Sequence, residues 1–221
     1  MKNINVSIDG PAGAGKSSIS KAVAKKLGLV YVDTGAMYRA CAVYAIENGI
    51  EIEEEKITPH LDEIKIDINY NEEGQQIILN GVDVTKRIRE QDATIGSSKI
   101  AVIPSVRLKL VDLQREIAKS KSVIMDGRDI GTYVLPDADL KIYLTASVEE
   151  RAKRRFIEMQ EKGMECDIEK VKEDIMFRDK NDSQREFAPL RQAEDAVFVD
   201  SSDLTFEESC EKIYNMVKEI L

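Results

Sequence analysis

The chain has 221 residues, enough for one compact domain or one with a modest insertion. Its 41 acidic and 32 basic residues leave a net charge of −9, which argues against general binding to nucleic acid or to an anionic membrane. At 43% hydrophobic and 33% charged residues, and with no apolar run near the roughly 20 residues that span a bilayer, the transmembrane and disordered classes drop out.

Any anionic ligand must therefore meet local positive charge. The N-terminal MKNINVSIDG is too polar for a secretory signal and runs directly into a glycine-rich motif, so the fold is expected to start where the chain starts. Cys41, Cys166 and Cys210 are odd in number, widely spaced and without CxxC or histidine pairs nearby, which points away from disulfides and zinc and towards a reducing cytoplasm.

Short apolar runs at Ile4–Ile8, Leu29–Val32, Ser122–Met125, Leu140–Leu144 and Ala196–Val199 predict five parallel strands. Helical patterns fall between them, at Lys16–Leu27, Ala36–Glu47, Ser105–Ala118, Val148–Glu161 and Ile168–Lys180. This alternation predicts an α/β fold, a parallel sheet with helices on both faces. One region breaks it: Ile64–Asn69 and Gln76–Leu79 flank the turn-rich NEEG and precede a second turn at Asn80-Gly81, which predicts a small antiparallel insertion over residues 51–89. Phe206, Cys210, Ile213, Val217 and Ile220 recur at spacings of 4, 3, 4 and 3, behind a capping box at Thr205 and Glu208, and predict a terminal helix with Cys210 on its apolar stripe. Ser147 and Glu150 repeat the capping pattern.

The strongest chemical signal is Gly10-Pro11-Ala12-Gly13-Ala14-Gly15-Lys16-Ser17-Ser18, a GxxxxGK[ST] pattern placed after a strand and before a helix. Glycines let the backbone wrap a polyphosphate with its N–H groups turned inward, and the positive end of the helix faces the same point. Lys16 is expected to reach the β and γ phosphates, and the Ser17 hydroxyl to ligate Mg²⁺. The bland alternative is a glycine-rich turn that only connects strand to helix. The motif alone does not separate kinases from GTPases, ATPases or motor-like switches, although no NKxD sequence of the guanine-specific kind is present.

Further polar clusters follow predicted strands: DTGAMYR from Asp33 to Arg39 and DGRDIGT from Asp126 to Thr132. RDKNDSQR, from Arg178 to Arg185, ends a helix. With DGPAGAGKSS, IPSVR, KIYLTAS-EERAKRR and APL, these motifs resemble the bacterial cytidylate kinase family over essentially the whole chain. The resemblance implies a P-loop nucleoside-monophosphate kinase fold in a single domain, with a monophosphate-side insertion at 51–89 and a helical lid at 148–165. It implies transfer of the γ-phosphoryl group of ATP to CMP or dCMP. It further implies that Arg39 and Arg128 hold the CMP phosphate, that Thr34, Ser98, Arg107 and Asp129 contact cytosine, and that Asp182, with Arg178 and Arg185, binds ribose. Thr34 stands where a serine occurs in some relatives, so the hydroxyl survives with an added methyl.

Arg151, Arg154 and Arg155 match the family's lid and would close over ATP; their alternative is a solvated basic face paired with Glu149, Glu150 and Glu158. Asp126 resembles the acidic position that supports Mg²⁺ through water, or else caps the following turn. His60, the only histidine, is expected to be an ordinary surface residue. The competing functions are a kinase for another monophosphate such as UMP, and a nucleotide-controlled interaction protein. The partners expected are small molecules, with no nucleic acid or membrane, and the protein is expected to be a monomer.

Overall fold

The computed structural model describes residues 3–71, 74–161 and 163–221. Glu72 and Glu73 of the expected NEEG turn, and Lys162 of the expected lid, lie outside the described residues.

In chain order, β1 (Asn5–Asp9) leads through the glycine loop to α1 (Lys16–Leu27), β2 (Val30–Asp33) and α2 (Thr34–Glu47). A short α3 (Glu54–Ile57) and a 3₁₀ turn precede β3 (Ile66–Asn71), β4 (Gly74–Leu79) and β5 (Val82–Asp83). A second 3₁₀ turn (Arg87–Arg89), α4 (Gln91–Ile100) and α5 (Pro104–Ser120) then lead to β6 (Val123–Gly127). After β6 come a single π-helical turn (Ile130–Val134), β7 (Leu140–Thr145), α6 (Val148–Glu161), α7 (Ile168–Gln184), β8 (Val197–Asp200) and α8 (Phe206–Lys218).

Five strands form one sheet in the order β2-β6-β1-β7-β8, and β3-β4-β5 form a separate sheet of three. Parallel pairing aligns Asp9 of β1 with Gly127 of β6 and with Tyr143 of β7, so the loops after these strands leave the sheet at one level. All five residues of β6 are buried, as expected for a strand covered on both faces. Strands β1, β2, β7 and β8 run one residue past their last apolar residue, to Asp9, Asp33, Thr145 and Asp200, and β6 runs two past Met125, to Gly127. The ladder bonds continue through these polar positions, which hydropathy alone leaves out.

The chain divides into two compact units, Met1–Val30 with Ser122–Leu221, and Tyr31–Lys121. In the first, α1 packs on β6 and α8, and α6 packs on α7. Cys210, Ile213 and Val217 of α8 are buried as the stripe predicts, and the Thr205–Glu208 capping box is formed. Phe206, at the start of the stripe, is instead exposed.

The second unit has its own core around α2, whose Met37, Ala40, Cys41 and Val43 are fully buried together with Ile57, Ile64, Ile77 and Ile88. Its antiparallel sheet falls inside 51–89, but β3 begins at Ile66 because Ile64 closes the preceding 3₁₀ turn through its N–H to the Leu61 carbonyl. Asn80 and Gly81 both have positive φ, as a two-residue hairpin turn with right-handed strand twist requires. Helix α4 was not predicted: QDATIGSSKI is poor in helix formers, but Gly96 lets it approach α2, where an added Cβ would stand 3.0 Å from the Ala42 Cβ. Among the described residues, no helix is long and apolar enough to cross a membrane.

Candidate functional site

Gly10 turns the chain off β1 against β7. Its φ is 150°, and a Cβ there would lie 1.9 Å from the Leu144 carbonyl oxygen, so no other residue fits. Gly15, at φ 84°, is the N-cap of α1 and offers no side chain to it, leaving the first-turn N–H groups of the helix available to an anion.

Two residues from the helical pair α6–α7 grip the loop at one residue, Ala12, on the two peptide groups that flank it. The Ala12 N–H donates to Asp179 Oδ1 at 3.1 Å, and the Ala12 carbonyl accepts from Arg151 Nη1 at 2.9 Å. Arg151 also pairs with Asp179 Oδ2 at 2.5 Å and donates from Nε to the Ala146 carbonyl at 2.9 Å, all while only 5% exposed. The expected row of three lid arginines therefore divides. Arg151 is built into the loop's support. Arg154 donates to the Ser201 carbonyl at 2.6 Å, beside Gly15, and Arg155 pairs with the exposed Glu158.

Lys16 is buried, with its Nζ donating to the Pro11 carbonyl at 2.7 Å. Burial and the nearby Arg128 guanidinium hold the ammonium below its ordinary pKa, against the opposing pull of Asp126, Asp182 and Asp9. Ser17 Oγ donates to Asp126 Oδ2 at 2.7 Å, while Ser18 is exposed. A hydroxyl beside a carboxylate is a set of hard oxygen donors, which suits a Mg²⁺ ion that keeps most of its waters and takes phosphate oxygens for the rest. No group of three or more His, Cys, Asp or Glu among the described residues forms a protein-only metal cage.

Asp9, just before the loop, accepts from the N–H groups of Ile130 (2.9 Å) and Gly131 (2.7 Å), tying β1 to the turn that follows β6. The segment between carries Arg128 and Asp129, and both are paired with the end of α7. Arg128 Nε donates to Asp182 Oδ2 at 2.7 Å, and Arg185 Nη2 donates to Asp129 Oδ1 at 3.0 Å. Arg178, Asp182 and Arg185 follow one another at spacings of 4 and 3 on α7 and its C-cap, hence on one side of it. Burial works to raise the Asp182 carboxyl, but Arg128, with Arg185 and Arg178 behind it, outweighs burial and holds it below its ordinary value.

In the second unit, Thr34 is the buried first residue of α2 and Ser98 is exposed on α4. Arg107, 1% exposed, donates to the Ala101 carbonyl at 3.0 Å and lies 5.5 Å from the centre of the Tyr38 ring, a cation–π arrangement. Arg39 Nη2 lies 2.9 Å from Asp33 Oδ2, the carboxylate that also caps α2 by accepting from the Ala36 N–H. Asp9, Asp179 and Asp33 were not singled out from the sequence. For Asp33 a signal existed, an acidic N-cap directly before a helix; for the other two, nothing local marks the long-range pairing.

The cytidylate kinase family model matches residues 6–219. A cytidylate kinase from Caldicellulosiruptor saccharolyticus is 52% identical over 222 residues, covering 100% of this chain and 98% of that protein. One from Streptococcus pneumoniae (strain Hungary19A-6) is 51% identical over 215 residues, covering 96% of each. Among solved structures, an uncharacterized protein from Eubacterium ventriosum aligns with a TM-score of 0.56 at 11% identity, covering 98% of this chain and 99% of that one, a likeness of fold alone.

Proposed function

The chain belongs to the cytidylate kinase family, and from that membership we infer that it transfers the γ-phosphoryl group of ATP to CMP and dCMP, giving ADP with CDP or dCDP. The observation that carries this reading inside the molecule is the gathering of Lys16, the Ser17–Asp126 pair and Arg128 at the carboxyl ends of the adjacent strands β1 and β6. Open parallel sheets place their ligands there.

In the reaction, an oxygen of the CMP phosphate attacks the γ phosphorus, the bond from that phosphorus to the β–γ bridging oxygen breaks, and the electron pair leaves on ADP. Little covalent chemistry falls to the protein, so its work is alignment and charge stabilisation. Residues 10–18 hold the triphosphate on backbone N–H groups. Lys16 stands beneath the β and γ phosphates, and its depressed ammonium gains its full charge as the anion arrives. Ser17 and Asp126 would hold Mg²⁺, which when bound neutralises phosphate charge. Arg154 and Arg155 offer charge from the lid at 148–165, with Arg151 fixing the loop.

From the family resemblance we propose acceptor-binding roles for Thr34, Arg39, Ser98, Arg107, Arg128, Asp129, Arg178, Asp182 and Arg185, in a chain read as a single kinase domain whose 51–89 segment is its monophosphate side. An acidic acceptor near the exocyclic amine, with a guanidinium near ring N3 and O2, favours cytosine over uracil. Cys41, Cys166 and Cys210 are free thiols, which supports a reducing, cytoplasmic setting. The substrates are small molecules, and we take the working form to be a monomer.

The test is ADP formation with ATP, Mg²⁺ and a panel of CMP, dCMP, UMP, AMP and GMP. Rapid turnover with CMP and dCMP is expected; equal ADP release with no acceptor, or faster use of UMP, overturns the reading.

A further inference from the structure

One side of α7 runs from the glycine loop to the segment after β6. Val171, Ile175, Asp179 and Asp182 follow one another at spacings of 4, 4 and 3, so they share a face of the helix. Ile175 meets the loop at Gly13, where an added Cβ would stand 3.6 Å from its Cδ1 and 3.2 Å from the Arg151 Cβ. One turn on, Asp179 Oδ1 accepts from the Ala12 N–H at 3.1 Å. Less than a turn further, Asp182 Oδ2 accepts from Arg128 Nε at 2.7 Å. The end of a single helix thus holds the loop that takes the donor and the arginine given to the acceptor.

The two side chains on Ala12 do different work. Arg151 holds the carbonyl, and its second bond, to the Ala146 carbonyl, fixes it on α6 independently of Asp179. Asp179 ties the loop to α7. Its charge is matched by Arg151, so what it gives the loop is direction rather than field. Asp9 ties the end of β1 to the Ile130 and Gly131 N–H groups, which fixes the root of the loop but not the peptide at Ala12, three residues on. Arg128 and Asp182 both act on the Lys16 ammonium, which puts this pair beside the lysine of the donor loop. In-line transfer needs the reacting atoms about 3–3.5 Å apart, and a misplacement of about 1 Å costs about 10²-fold in rate.

We propose that Asp179 is a positioning residue that sets the register between the two nucleotides. By fixing Ala12 to the face of α7 that also holds Arg128 through Asp182, it keeps the γ phosphorus in line with the attacking oxygen of the acceptor. Asp179 touches neither substrate. Without it, ATP still has the backbone N–H groups of the loop and Lys16, and the acceptor still has its arginines, so both ligands bind and only their alignment is lost. The proposal rests on the CMP kinase reading and on the acceptor role given there to Arg128 and Asp182.

Steady-state kinetics with ATP, Mg²⁺ and CMP compare the full chain with its Asp179→Ala, Asp179→Asn and Ile213→Val variants, and a melting curve checks that each is folded at the assay temperature. Ile213 is fully buried in α8, and its valine variant should lower the melting temperature by about 2–4 °C with kcat unchanged, which calibrates what lost stability does by itself. Asp179→Ala should lower kcat by about 10- to 100-fold and leave KM for ATP and for CMP unchanged. Asp179→Asn keeps an oxygen for the Ala12 N–H and should recover part of that loss. It sets an NH₂ group against Arg151 and should still fall below the wild type in kcat, so it carries the test if the alanine variant does not fold. A raised KM for ATP with kcat unchanged, a loss of kcat no larger than that of Ile213→Val, or an asparagine variant as slow as the alanine one overturns the proposal. If the wild type makes CDP from CMP and both Asp179 variants match it in kcat, this inference alone fails. If the wild type makes no CDP, the reading beneath it fails as well.

Discussion

The Arg128 guanidinium and the Asp182 carboxylate meet at 2.7 Å, joining the segment after β6 to the last turn of α7 across 54 residues of chain. Both are proposed to meet the acceptor nucleotide, and here they pair with each other. Each partner is 22% exposed, which puts the loss on removing Asp182 below the range of about 3–5 kcal/mol for a fully buried pair. Asp182→Ala should cost about 2 kcal/mol in urea unfolding. The folded carboxyl lies below its unfolded value of about 3.9, so its stabilisation is complete above that pH and lost as pH falls through the folded value. Below pH about 4 the wild type should therefore lose stability faster than Asp182→Ala, and parallel acid-unfolding curves would refute the assignment.

Lys16 points the other way. Its ammonium is held below its ordinary pKa by burial and by Arg128, so between the folded value and about 10.4 the unfolded chain binds more protons, and stability rises with pH across that window. Lys16→Met should remove that slope and unfold at a higher temperature at pH 7, although it gives up the hydrogen bond to the Pro11 carbonyl. Turnover should fall by about 10²–10³-fold, the usual cost of removing one charge-stabilising donor. A variant both less stable and still active would contradict the role given to this residue.

The parallel sheet, the glycine loop and most helices were legible because each is written locally, as an apolar run, a fixed glycine spacing or a 3.6-residue stripe. Helix α4 was not, since its packing against α2 at Gly96 overrides a sequence of poor helix formers. The acceptor residues were legible only as separate motifs. What holds Arg151 on Ala12, or Arg89 on Asp33, is pairing between residues 139 and 56 positions apart, and no local pattern encodes that. Arg151 shows the consequence: three arginines at helical spacing read as one basic face, while the fold buries the first, ties the second to Ser201 and leaves the third to solvent.

That division predicts unequal effects along α6. Arg151→Ala strands the Ala12 and Ala146 carbonyls and removes the partner of Asp179, a set of losses worth about 3 kcal/mol or more in a buried network. It should lower the melting temperature and raise KM for ATP together. Arg155→Ala removes only an exposed pair with Glu158, so its stability should stay within about 0.5 kcal/mol of the wild type. Similar melting curves for the two variants would mean that the loop does not depend on Arg151.

Asp9 gives a pH signature of opposite sign to that of Asp182. Burial, with Asp129 adding to it, pushes its carboxyl up to about 7 against the amides of Gly131 and Ile130. The folded state therefore binds more protons than the unfolded state between about 3.9 and that value, and stability from this group declines as pH rises through the interval. Asp9→Asn should flatten the decline while setting an NH₂ group against one of two backbone donors, a loss of about 1–3 kcal/mol at every pH. Unfolding in urea at pH 5 and pH 8 separates the two effects, and an unchanged slope in the variant would count against the shift.

Ser17 offers the cleanest separation of chemistry from stability. Its hydroxyl donates to Asp126 Oδ2 at 2.7 Å, and the GxxxxGK[ST] pattern accepts threonine in the same place. Ser17→Ala leaves the glycine loop and Lys16 intact, so ATP measured without metal should bind as in the wild type. The Mg²⁺ concentration for half-maximal CMP phosphorylation should rise by about 10-fold or more, consistent with the loss of one of the few protein oxygens the ion would take. Ser17→Thr should restore the wild-type titration, because it returns the oxygen at the same spacing. Addition of a chelator should abolish turnover in all three proteins. An alanine variant with the wild-type Mg²⁺ dependence would remove Ser17 from the metal site and leave its bond to Asp126 a purely structural one.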